Sequence, residues 1–114
     1  MVTTDVAVVM SSVPGRAWPH PRVRDALRVL VVQRDGSRCH YCGRTLGRRG
    51  AGRLTLDHVW PVCFGRIDAL WNLVPACGPC NSRRGHDTTW CACPGCTLAL
   101  RLGAFFEGSA TRAA

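Results

Sequence analysis

A chain of 114 residues with fifteen Arg, no Lys, seven acidic residues and eight Cys carries a net charge of +8. That length gives one small domain whose core is too thin to be stable without a metal or disulfides. The charge points to a polyanion, most simply nucleic acid, with a solvated basic surface as the alternative. No stretch approaches the length of a membrane span, so no membrane partner is expected.

Residues 1–21 hold Pro14, Gly15, Pro19 and Pro21 and read as an extended arm, with a short strand at Val6 to Met10 and Trp18 docking it. They lack the basic n-region of a secretion signal, which predicts a reduced, cytoplasmic setting. Exclusive Arg usage is what a GC-rich coding sequence produces, so a bacterial cell or phage-infected host is the expected location. From 22 to 34, RVRDALRVLVVQR sets Val23, Leu27, Leu30 and Val31 at helical spacing behind Pro21, and Asp35-Gly36 stops the helix. Gly47 to Arg53 is a basic loop, either solvated or touching phosphate.

Leu54-Thr55-Leu56 alternates like a strand and runs into Asp57-His58. Phe64 to Asp68 is a loop, and Leu70 to Val74 reads as the returning strand of a hairpin, ended by Pro75. Cys77 to Arg84 predicts a short helix stopped by Gly85. Thr97 to Phe106 is a helix or strand covering remaining apolar surface, and 107–114 a frayed tail. The fold class is therefore α+β: one zinc-stapled domain over 22–106 around a core at 38–85.

Cys39-x-x-Cys42 and Cys77-x-x-Cys80 lie 34 residues apart. Two such pairs suit one tetrahedral ion better than bridges to distant partners, and four thiolates form a closed structural zinc site. An oxidised secreted framework is the other reading of an even cysteine count, and a redox dithiol would need only one pair. Cys63, Cys91, Cys93 and Cys96 are left over. With His86 nearby they form a candidate second zinc set, against free buried thiols.

Inside the metal frame sit Asp57-His58, Asn72 thirteen intervening residues later, and Asn81 directly after Cys80. This set resembles the HNH endonucleases, ββα-metal nucleases whose zinc-knuckle members place C-x-x-C before an Asp-His pair and His or Asn after a second C-x-x-C. The resemblance runs from about Gln33 to Asp87, and a bacteriophage member of the family is in keeping with the composition. It implies DNA as substrate and His58 as general base, an imidazole that ordinarily titrates near pH ~6.5. It implies Asn72 as the residue fixing the hairpin. Asp57 and Asn81 would hold one Mg²⁺ or Mn²⁺ through hard oxygen. Arg66, Arg83 and Arg84 are the phosphate-contact candidates. No separate recognition domain is evident, so a homodimer or partner protein would supply specificity. A zinc-stapled binding module without cleavage, or an accessory of a phage packaging or recombination machine, is the alternative from another class.

Overall fold

A computed structural model describes residues 20–113, with side chains through Phe106. The extended arm, the strand at Val6 to Met10 and Trp18 lie outside the described residues. The first helix, α1, is Pro21–Asp35. Pro21 is preset for a helical start, and the His20 side chain accepts from the Arg22 N–H at 3.1 Å, satisfying an amide that the helix leaves unpaired. Gly36 takes φ 79° and its N–H returns to the Val32 carbonyl, which closes the helix.

Strands β1, Leu54–His58, and β2, Leu73–Cys77, form a two-stranded antiparallel sheet in which Leu54 faces Cys77 and His58 faces Leu73. The returning strand thus starts three residues later than the alternation suggested, because Leu70–Asn72 winds into a 3₁₀ turn. Pro75 does not end β2 but sits inside it, opposite Leu56. The Val59 N–H donates to the Asn72 carbonyl, which sets the alternation and places Leu56–Pro75 at a non-hydrogen-bonded pair. A missing N–H costs the ladder nothing there, and the Pro75 carbonyl turns outward to the His40 N–H at 2.8 Å.

The short helix α2, Gly78–Arg84, follows β2 directly and packs on both strands, completing a ββα unit. The C-terminal helix α3, Pro94–Ala113, keeps a helical backbone through the stretch expected to fray. The molecule is a small α+β domain in which seven of the eight cysteines gather in two neighbouring clusters.

Apolar burial falls into three groups. Leu27 and Val31 of α1 pack on Leu73. Leu46, Ala76 and the cysteines Cys39, Cys77 and Cys80 form the second. Val59 and Val74 meet Cys96 and Ala99 of α3 in the third. Cysteines make up three of the five buried residues in the second group and one of four in the third, so the small core draws part of its buried surface from sulfur. Among the described residues no helix is long and apolar enough to cross a membrane.

Candidate metal centre and catalytic cleft

Cys39 and Cys42 come from a tight turn in which Gly43, at φ 79°, returns its N–H to the Cys39 carbonyl. Cys77 ends β2 and Cys80 lies one turn into α2. The four sulfurs lie within 4.8 Å of one another, and Cys42 Sγ is 3.8 Å from Cys77 Sγ. A tetrahedron with metal–sulfur bonds of about 2.3 Å has edges of about 3.8 Å, so the donor set fits one zinc-sized ion. The ion would tie the knuckle to the β2–α2 corner.

The other end of the ββα unit is a cleft lined by Leu56, Asp57, His58, Pro61, Val62, Cys63, Asn81, Gly85 and His86. Adjacent strand residues point to opposite faces, and Asp57 and His58 accordingly have different partners. His58 Nε2 lies 2.7 Å from Oδ1 of Asp68, whose other oxygen accepts from Arg66 Nε at 2.8 Å. Asp68 is fully buried. Burial alone would raise its carboxyl pKa, but the His58 and Arg66 hydrogen bonds and charges outweigh burial and hold it below its ordinary value.

On the other face, Asp57 Oδ2 accepts from the Tyr41 hydroxyl and from Arg84 Nη1 at 2.8 Å. Burial pushes the Asp57 carboxyl above its ordinary value, only partly offset by Tyr41, Arg84 and His58. Burial and the neighbouring Asp57 push the Tyr41 phenol up, so it remains a donor. Both bonds go to one carboxylate oxygen, which leaves Oδ1 as the atom that would meet a cation. The Asn81 amide nitrogen donates to Thr55 Oγ1 at 3.0 Å and reaches the Leu56 carbonyl at 3.5 Å, turning its oxygen away from those acceptors. Asp57 and Asn81 both line the cleft, and their hard oxygens are of the type a divalent ion takes.

Asn72 is fully buried and holds the loop between the strands. Its Oδ1 accepts from the Trp60 N–H at 2.7 Å, and its Nδ2 donates to the Ile67 carbonyl at 2.9 Å and the Trp60 carbonyl at 3.3 Å. One amide thus satisfies backbone groups on both sides of the loop that carries Asp68.

Three sequence expectations need correction. Arg84 is not on the surface: it is 3 % exposed and bonds Asp57, the His58 carbonyl at 2.8 Å and the Val59 carbonyl, over the Tyr41 ring. Arg66 is likewise buried against Asp68. Both guanidiniums are buried and turned to internal carboxylates, so they do not lie on the surface where a phosphate would approach; Arg83 is exposed. Cys63 lies exposed on the cleft wall in the 3₁₀ turn Val62–Phe64, apart from Cys91, Cys93 and Cys96.

Reading by sequence missed Asp68, Tyr41 and His40. For Asp68 the available signal was an acidic residue in the loop just ahead of Asn72. For His40 it was an imidazole inside a cysteine knuckle.

An arginine-lined groove lies beside β1, formed by Arg24 and Arg28 of α1, Arg48 and Arg53 of the basic loop, and Leu54, Thr55 and Leu56. Leu56 also lines the cleft, so groove and cleft share one residue of β1.

Compared with known proteins, residues 39–87 match the family model described as HNH endonuclease. No curated protein and no solved structure matches the chain.

Proposed function

We propose, from the match of residues 39–87 to the HNH endonuclease family model, that the protein hydrolyses DNA phosphodiester bonds with His58 as general base. The observation that carries this reading is the His58–Asp68 pair in a cleft shared with Asp57 and Asn81. A proton on Nε2 donated to Asp68 fixes the ring and leaves Nδ1 as the lone-pair nitrogen. Nδ1 takes a proton from water as the water oxygen attacks phosphorus. The bond to the 3′-oxygen breaks, that oxygen takes a proton from solvent water, and the products are a 5′-phosphate and a 3′-hydroxyl. Asp57 and Asn81 are the proposed ligands of a Mg²⁺ or Mn²⁺ ion, which when bound supplies Lewis-acid stabilisation of charge at the phosphate and leaving oxygen. Tyr41 and Arg84 hold the Asp57 carboxylate in place, and Asn72 holds the loop that presents Asp68.

Zinc is the ion proposed for Cys39, Cys42, Cys77 and Cys80, in a structural role. The groove of Arg24, Arg28, Arg48 and Arg53, with exposed Arg83, replaces Arg66 and Arg84 as the proposed path of the DNA backbone. Contacts of this kind position a duplex without reading bases, so cleavage should show weak intrinsic sequence preference.

The test is nicking of supercoiled plasmid by the purified chain. Cleavage should require added Mg²⁺ or Mn²⁺ and fall by at least about 100-fold in His58→Ala, with the circular dichroism spectrum unchanged. Plasmid binding with no nicking in either metal across pH would instead make this a zinc-stapled nucleic-acid-binding module.

A further inference from the structure

Beyond the matched residues, Cys91, Cys93 and Cys96 are not accounted for by the HNH domain. They gather instead around His40, the residue next to Cys39 of the four-cysteine set. His40 Nε2 is 3.1 Å from Cys96 Sγ and 3.4 Å from both Cys91 Sγ and Cys93 Sγ. All four donor atoms lie within 4.8 Å of one another. An imidazole nitrogen carries either one proton or one lone pair, so three sulfurs converging on it exceed what hydrogen bonding can satisfy. A shared cation accounts for all three contacts. With metal–nitrogen bonds of about 2.0–2.1 Å and metal–sulfur bonds of about 2.3 Å, a tetrahedron sets nitrogen and sulfur about 3.6 Å apart, close to the observed spacing.

The two cysteine turns also match in detail. The Cys42 N–H approaches Cys39 Sγ at 3.5 Å, and the Cys96 N–H approaches Cys93 Sγ at 3.4 Å. Both are C-x-x-C turns that aim a backbone donor at the first thiolate, an arrangement that favours the deprotonated ligand.

We propose that His40, Cys91, Cys93 and Cys96 bind a second structural zinc ion, which fastens α3 to the knuckle of the first. Three sulfurs and one nitrogen close the coordination sphere, leaving no open position for catalysis. Consecutive residues Cys39 and His40 then serve different ions, while the His40 N–H anchors the turn to Pro75 of β2. Cys96 sits on the first turn of α3, and Gly103 presses on Trp60, where an added Cβ would overlap the indole. The ion and this close approach clamp α3 at two points across the face of Val59 and Val74. The Trp60 backbone is bonded on both sides by Asn72, so α3 is seated on the loop that carries Asp68. This site is independent of the nuclease reading and stands or falls without it.

Metal analysis of the full chain purified without chelator should give two zinc per chain. The cadmium-substituted protein should show two ¹¹³Cd resonances, one for four sulfurs and one for three sulfurs and a nitrogen. His40→Cys should keep two ions and move only the second resonance into the four-sulfur range. Cys91→Ala should lose one equivalent and keep the four-sulfur resonance. One zinc per chain, a lone four-sulfur resonance in the wild-type chain, or two resonances unmoved by His40→Cys would overturn the proposal. The wild-type measurements decide the matter even if a variant does not fold.

Discussion

The two ends of the ββα unit are held by different chemistry. At the cysteine end the candidate ligands Cys39, Cys77 and Cys80 are themselves the buried core, and apolar side chains only fill in around them. At the cleft end the buried groups are Asp57, Arg84, Asp68, Arg66 and Asn72, each matched by hydrogen bonds. A metal staple makes folding depend on one ion, whereas a polar network makes geometry depend on several partners being present together. Losing the ion should therefore undo the whole cysteine end at once, whereas losing a cleft residue should cost according to how many buried partners it leaves unpaired.

Removing metal should give the largest effect. Stripping the four-cysteine site with a strong chelator should abolish the cooperative thermal transition followed by circular dichroism, because metal binding of about 10–16 kcal/mol is folding free energy in small zinc domains. A sharp transition surviving in metal-free protein would mean the cysteine end is not metal-built.

Arg84→Leu comes next. It leaves the Asp57 carboxylate buried beside Tyr41 alone, and removing one partner of a buried pair costs about 3–5 kcal/mol. Urea unfolding should show that loss, whereas a change within about 0.5 kcal/mol would place Arg84 on the surface after all.

Asp68→Asn should be milder. Nicking should fall about 10-fold through loss of the partner that orients His58, with the far-ultraviolet spectrum retained. It also has a pH signature. The folded Asp68 carboxyl lies below its ordinary value, so its stabilising contribution is complete above the unfolded pKa of about 3.9 and fades as pH falls through the folded one. The stability gap between wild type and Asp68→Asn should therefore narrow on acidification below about pH 4. A gap that widens there would reverse the assignment.

The smallest effect belongs to the groove. Replacing Arg24 and Arg28 by Gln should leave the fold intact and lower the salt dependence of plasmid binding by about one to two phosphate contacts. An unchanged salt slope would move the DNA path elsewhere.

Spacing alone determined the four-cysteine centre, because two C-x-x-C turns leave few ways to place four thiolates around one ion. It also placed α1, whose apolar stripe and caps are local. The hairpin was legible but its register was not: Pro75 reads as a terminator until the ladder shows that its missing N–H falls between hydrogen bonds. Charge counting established a basic chain, but only tertiary structure separates Arg66 and Arg84, consumed by Asp68 and Asp57, from the arginines that line the groove.

The leftover cysteines were grouped by sequence with Cys63, whereas the fold closes their cluster with His40, about fifty residues away. The motif Asp57-His58 with Asn72 and Asn81 gives its residues without giving their supports. Strand alternation sends Asp57 and His58 to opposite faces, and the partners found there, Tyr41, Arg84 and Asp68, come from three other segments. Local pattern picks out the candidate groups, but the partners that orient them come from long-range packing that no local pattern encodes.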